Sequence, residues 1–554
     1  MTTTAFINGR IFLSGVKPGT NPSPTSPPTF ASALVIKDSL ITAVGSPSSD
    51  PTIAAALALP DTTVVDLAGK TILPGFVDGH MHLMLLGQSL QKLDLGACKT
   101  LADIQSTIRA YAAANPALPR ILCRGWMHSM TPGGVSAADL DGLDVEGMDR
   151  PVLVDTKDLH SAWCNTAGIA ALGAEKWADV PGGIIARDEA GRPTGVFSEA
   201  ANITYVWPWL ASVAGMEERM DAVRAAVAAY HAAGYTGMVD MAMDEGAWEA
   251  VLALREQMGG DFGMRLSAYW LVKPSASEAE NLAQVDRAAE LAGLYNSATT
   301  PDCRVVGIKV IGDGIIDACT AGLSEPYSHD GTGTNPIWTR EELEPVVRRA
   351  EEKGLQIALH AIGDATIKMA VDVLAECASP ARRPRIEHIE LASKEDADRL
   401  GKFGITASIQ PVHADPAILR AWPRLIGKHR CKRAFAYREF ADGGAPLALG
   451  SDAPTAPHSP LGNVYVGTTR RSYREPEMTT TVNENFALGL CEAVAAATEG
   501  AAYSCFEDGR LGRLAVGLKA DFVVVDMQWE KEKLMEARMK ETWFDGKRVW
   551  ASDE

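Results

Sequence analysis

A chain of 554 residues with 52 Lys+Arg against 70 Asp+Glu carries a formal net charge of −18, which excludes the basic face that nucleic-acid binding requires. With 46% apolar and 22% charged residues it has the composition of a folded protein. No run approaches the roughly 18 apolar residues of a membrane span, so no membrane association is expected. MTTTAFINGR shows no basic segment followed by an apolar one. The nine cysteines are dispersed without a CxxC pair, which implies reduced thiols and a cytoplasmic location.

In chain order, AFINGRIF, ALVIKDSLITAVG and TTVVDLAGKTIL read as short strands joined at Asn-Gly, Asp-Ser and Ala-Gly turns. KPGTNPSPTSPPTF between the first two is too rich in Pro and Ser for a helix or central strand, and reads as an exposed loop. Strand character returns near the end in ADFVVVDM and GKRVWAS. The two strand-rich ends, residues 1–70 and 500–554, are expected to form one composite β-sandwich domain.

Between them, eight apolar runs alternate with amphipathic helices. The runs are GFVDGHMH, TGMVDM, MRLSAYWLV, VVGIKVIG, QIALHAIG, RIEHIEL, ITASIQP and PLALGSDAP. Helices such as TREELEPVVRRAEEKG end in Gly, as a C-cap would. The alternation predicts an α/β chain with a (β/α)8 TIM-type catalytic barrel over residues 71–499. About 150 residues separate the first two runs, far beyond an ordinary βα connection. Residues 95–210 are therefore expected to be an insertion after barrel strand 1, a candidate lid on the face where barrel active sites lie.

His80-Met81-His82 ends the first run, and residues i and i+2 of a strand point to one side, so both imidazoles can converge on one metal ion. The other strand ends carry His360, His388 and Asp452, with Lys309 inside GIKVIGDG. Titratable residues there, where packing favours Val or Ile, make a metal-hydrolase constellation. A buried lysine is either a neutral amine that carbon dioxide converts to a bridging carbamate, or a partner in a salt bridge or substrate-anion contact. Trp126, His160, Trp163, Asp313 and His413 are candidate substrate contacts, with packing or turn formation as the alternative for each. His231 lies in an alanine-rich helix and reads as solvated. Neither Ser408 nor Ser451 lies in a GxSxG elbow, which argues against a serine nucleophile.

The motifs ILPGFVDGHMHL, DLHSAWCNTAG, GRPTGVFSEAA, GIKVIGDG, LHAIGDATI, RIEHIEL, ASIQPVHAD, LALGSDAPTAPHSPL and RLGRLAVGLKADFVVVD occur in one order over most of residues 5–527. In this the chain resembles the amidohydrolase superfamily, and within it the amidohydrolase 3 family of YtcJ-like metal-dependent hydrolases. The resemblance implies a barrel with a composite β-sandwich and zinc as the metal. It implies His80 and His82 on a first ion, His360 and His388 on a second, Lys309 as a bridging carbamate, and Asp452 as both ligand and acid/base. Two ions follow if Lys309 is carboxylated, and one otherwise. The expected activity is hydrolysis of an amide-type C–N bond of a small molecule by a metal-activated hydroxide. A lactonase, a deaminase, a non-oxidative decarboxylase and a non-catalytic metal-stabilised binding protein are the alternatives. Exposed barrel helices leave room for a homodimer.

Overall fold

All eight apolar runs fold as parallel strands of one sheet in the computed structural model, which describes residues 2–15, 17–145, 148–157, 161–180, 183–199 and 201–553. They are β1 (Phe76–Met81), β2 (Tyr235–Met243), β3 (Arg265–Val272), β4 (Cys303–Ile311), β5 (Gln356–Ala361), β6 (Arg385–His388), β7 (Thr406–Ile409) and β8 (Leu447–Leu449). Each pairs with its neighbour in sequence, and nearly every residue in them is buried, as expected for strands covered on both faces. The gap between β8 and β1 is bridged just past the strand ends. There Asp452 N donates to His80 O at 2.7 Å and His82 N to Ala453 O at 2.9 Å. This closure depends on Gly450, where a Cβ would stand 2.4 Å from His80 N. The result is a nearly closed TIM-type barrel.

Several of the intervening helices begin at side-chain caps. Thr339 and Glu342 form a capping box on Arg340–Glu352, and Ser393 caps Lys394–Lys402. A helical run from Leu490 to Ser504 packs on β1 and β8, so the expected start of the C-terminal β segment at residue 500 falls inside helix. The C-terminal strands begin at Phe522.

The termini build two sheets. One joins Thr3–Ile7, Ala33–Lys37, Leu40–Gly45 and Thr62–Asp66. The other joins Arg10–Leu13, Thr29–Ala31, Thr71–Pro74, Phe522–Asp526, Arg538–Phe544 and Lys547–Ala551. Phe6, Leu34, Ile72, Phe522 and Val524 share one core, with Phe6 edge-on to Phe522 at 5.1 Å and to Trp543 at 5.2 Å.

The chain divides into two compact units, residues 1–83 with 227–554, and residues 84–226. The second unit is longer than the expected insertion because it includes helix Leu83–Gln91 from Met84 onward and the first part of helix Met216–Ala233. It contains a six-stranded mixed sheet in the order Gly183–Arg187, Pro193–Glu199, Ser161–Cys164, Val152–Thr156, Ile121–Trp126, Leu93–Asp94. Among the described residues no helix is long and apolar enough to cross a membrane.

Candidate metal centre

The barrel brings His80, His82, Lys309, His360, His388 and Asp452 to the C-terminal part of its strands. The rings of His80 and His388 lie 4.8 Å apart, and those of His360 and His388 4.4 Å apart. His80, His388 and Asp452 each offer a ligand atom within 4.8 Å of the others. Asp452 Oδ1 stands 2.9 Å from His82 Nε2 and 3.5 Å from His80 Nε2. Two of these residues occupy the left-handed backbone region, His388 at φ +74° and Asp452 at +57°, and Ile389 joins them at +52°. A β-branched residue rarely adopts that conformation, and such strain persists only where the surrounding structure enforces it.

Buried polar groups aim the candidate ligands. Glu387, fully buried, accepts from Arg385 Nε at 2.6 Å and Nη2 at 3.1 Å, and pairs with His80 Nδ1 at 2.7 Å. An ionised carboxylate only accepts, so His80 carries its proton on Nδ1 and presents a bare Nε2 to the cluster. Asp78 accepts from Ser451 N, Ser451 Oγ and Tyr230 Oη at 2.8, 2.5 and 2.7 Å, tying β1 to the loop that carries Asp452. Asp240 accepts from Leu83 N at 2.7 Å, just past His82.

Burial, then the nearby Lys309, pushes the His80 imidazole down to about 4. Burial, Lys309 and His80 push His360 down to about 3. Burial also carries His388 well below its ordinary value and Lys309 down to about 8. Burial opposes ionisation of Asp452, but His82 and His80 outweigh it and hold the carboxyl well below its usual range. The cluster therefore offers three neutral imidazoles, a carboxylate and an amine that loses its proton readily. Lys309 Nζ, His360 Nε2 and His388 Nδ1 are buried and make no hydrogen bond. Unpartnered buried nitrogen beside a carboxylate is costly without a further occupant, and this donor set fits a divalent transition metal.

The softer expectations divide. His413, on the turn Pro411–Ala414 after β7, reaches the cluster, with Nε2 3.4 Å from Asp452 Oδ2 and Nδ1 3.5 Å from Glu390 Oε1. Asp313 is fully buried and accepts from Gly322 N, Ile362 N and Gly363 N at 2.9, 3.0 and 2.8 Å, with His360 Nε2 at 3.5 Å. It organises the loops after β4 and β5. Burial raises it to about 7 despite those three donors.

Trp126 and Trp163 take the packing role that stood as the alternative to substrate contact. Both lie in the apolar core of the second unit, with ring N–H groups bonded to Thr131 Oγ1 at 3.1 Å and Ser136 O at 2.8 Å. His160 lies outside the described residues. His231 is buried rather than solvated, bonded through Nε2 to Gly263 O at 2.7 Å. Sequence reasoning missed Asp78, Asp240, Arg385 and Glu387, although each interrupts an apolar strand in the manner that singled out Lys309.

Fold and cluster together define a TIM-type barrel with a candidate metal site at its strand ends. The chain belongs to the Amidohydrolase family, whose profile matches residues 63–550. It is 30% identical over 480 residues to the putative amidohydrolase YtcJ of Bacillus subtilis, covering 83% of this chain and 85% of that one. An N-substituted formamide deformylase of Arthrobacter pascens is 23% identical over 525 residues, covering 87% and 89%. The crystal structure of an uncharacterized metal-dependent hydrolase from Pyrococcus horikoshii shares the fold. Its TM-score is 0.76 at 23% identity, with 96% of this chain and 99% of that one covered.

Proposed function

We propose that the protein is a zinc-dependent hydrolase that cleaves an amide-type C–N bond of a small molecule in the cytoplasm. The observation that carries this reading is the convergence of four histidines, Asp452 and Lys309 with buried nitrogen atoms that lack partners. A relative named for deformylating N-substituted formamides supports the bond type, and nine free cysteines suit a reducing compartment.

His80, His82 and Asp452 would hold one ion and His360 and His388 a second, and Lys309 would serve as a further ligand once its neutral amine adds to carbon dioxide and releases a proton. The bound metal supplies Lewis-acid polarisation and lowers the pKa of water. Asp452, held ionised by His82 and His80, takes the proton of the attacking water and returns it to the leaving amine. His413 sits against the other oxygen of Asp452 and fixes the orientation of the carboxylate. Glu387 keeps the His80 lone pair on Nε2.

The test is a metal-replete screen against N-formyl, N-acyl and cyclic amides, with elemental analysis of the same samples. Zinc-dependent hydrolysis with about two ions per chain is expected, falling to about one in Lys309→Met. Asp452→Asn should keep most of its metal and lose at least about 100-fold in turnover. Near-normal turnover in that variant, or a parent protein that binds no metal, would overturn the reading.

A further inference from the structure

Six arginines are buried among the described residues, and five share one arrangement. Arg120 pairs with Glu218, Arg150 with Asp144, Arg265 with Asp521, Arg304 with Glu507 and Arg385 with Glu387. Arg470, fully buried at the C-terminal end of helix Pro460–Thr469, pairs with no carboxylate among the described residues. Its Nε donates to Val482 O at 2.7 Å, while Nη1 and Nη2 are buried and make no hydrogen bond.

A guanidinium does not shed its proton inside a protein, so its charge must be compensated in place. Two partial offsets are visible. The Arg470 guanidinium lies 4.9 Å from the centre of the Tyr437 ring, and the preceding helix ends there with its partial negative charge. Tyr437 is not itself the counter-ion. Burial raises its phenol far above neutrality, and its hydroxyl donates to Gln410 O at 3.3 Å. The Tyr437 hydroxyl also interacts with the guanidinium, but a neutral phenol brings no negative charge, whereas each of the other five buried arginines faces carboxylate oxygen.

We propose that Arg470 holds a small monovalent anion, chloride or a short carboxylate such as formate, through Nη1 and Nη2. The anion completes an internal ion pair that the chain leaves half built. Through Tyr437 and Gln410 this site connects to the Pro411–Ala414 turn that carries His413, so the anion steadies one wall of the metal cluster without entering it.

The test uses the full chain. Crystals grown in chloride-free sodium bromide are measured at the bromine edge, and a second set is grown in formate. Thermal unfolding is followed at constant ionic strength as gluconate is replaced by chloride or by formate. The expected result is an anomalous peak or formate density beside Arg470 Nη1 and Nη2. The unfolding midpoint should rise with the logarithm of the effective anion's concentration and become flat in Arg470→Met. A response to chloride alone identifies a halide site, and a response to formate alone a carboxylate site. Water or nothing beside Arg470, with equal midpoints in all three salts, overturns the proposal. The parent protein alone decides this should Arg470→Met fail to fold.

Discussion

Glu387→Gln is the sharpest test of how the cluster is held together. The substitution preserves shape and removes one charge at a fully buried position. Glu387 accepts two bonds from Arg385 and one from His80, all from donors. A glutamine amide turns an N–H toward one of those donors whichever way it is flipped, so at least one contact becomes repulsive. Arg385 keeps Gly79 O at 2.6 Å, Ser408 Oγ at 2.8 Å and Ser504 Oγ at 3.0 Å, so it is not left bare. Breaking a buried pair costs about 3–5 kcal/mol, and these residual bonds place the loss near ~3 kcal/mol, or roughly 100-fold in the folding equilibrium. His80 also exchanges a carboxylate for a neutral amide as the partner that fixes its tautomer, which should weaken metal binding by about 10- to 100-fold. Urea unfolding of the metal-free protein measures the first effect, and competition with a chromophoric chelator the second. Unfolding within about 0.5 kcal/mol of the parent together with unchanged metal affinity would refute the reasoning, because a surface-like glutamate behaves that way.

Two further outcomes follow from the fold. Gly450→Ala should cost about 1–3 kcal/mol, because its methyl group meets the backbone nitrogen of His80. Gly293→Ala, in helix Glu278–Leu294 with open space around it, should be neutral or slightly stabilising, and paired unfolding curves separate the two. In the second unit, hydrogen bonds from the Arg150 side chain hold Asp144 down to about 2. A depressed carboxyl contributes stability that is present above its ordinary pKa near 4 and lost as pH falls through 2. About 1 kcal/mol should disappear over that window after allowance for solvent screening, and Asp144→Asn should flatten the loss in denaturant titrations at successive pH values.

The barrel was legible because each strand is a short apolar run bounded by helix caps, and period and length alone separate such runs from helices. The composite β domain was legible for the same local reason. Its C-terminal limit was not, since Leu490–Ser504 is a buried helical run whose apolar composition gives no boundary signal. For the two tryptophans of the second unit the sequence leaves pocket and packing open, because an aromatic residue beside a histidine looks alike in a pocket and in a core. Only the bonds of Trp126 to Thr131 and of Trp163 to Ser136 separate those cases.

The candidate ligands and the residues that aim them carry the same sequence signature. Lys309, Asp78, Asp240, Arg385 and Glu387 all interrupt buried strands, and composition does not rank them. What sorts them is saturation of their hydrogen-bonding capacity. Glu387 and Asp78 have each oxygen engaged by donors from the chain, so they have nothing left to offer an ion. Lys309, His360 and His388 each keep a buried nitrogen that nothing in the chain satisfies. A fold that satisfies the buried groups next to these three and leaves these three open assigns the occupant's place by subtraction. Among the buried arginines of the described residues Arg470 alone faces no carboxylate, far from any ligand histidine in sequence, which is why the two sites call for different occupants: a cation where imidazoles converge, and an anion where a lone guanidinium is enclosed.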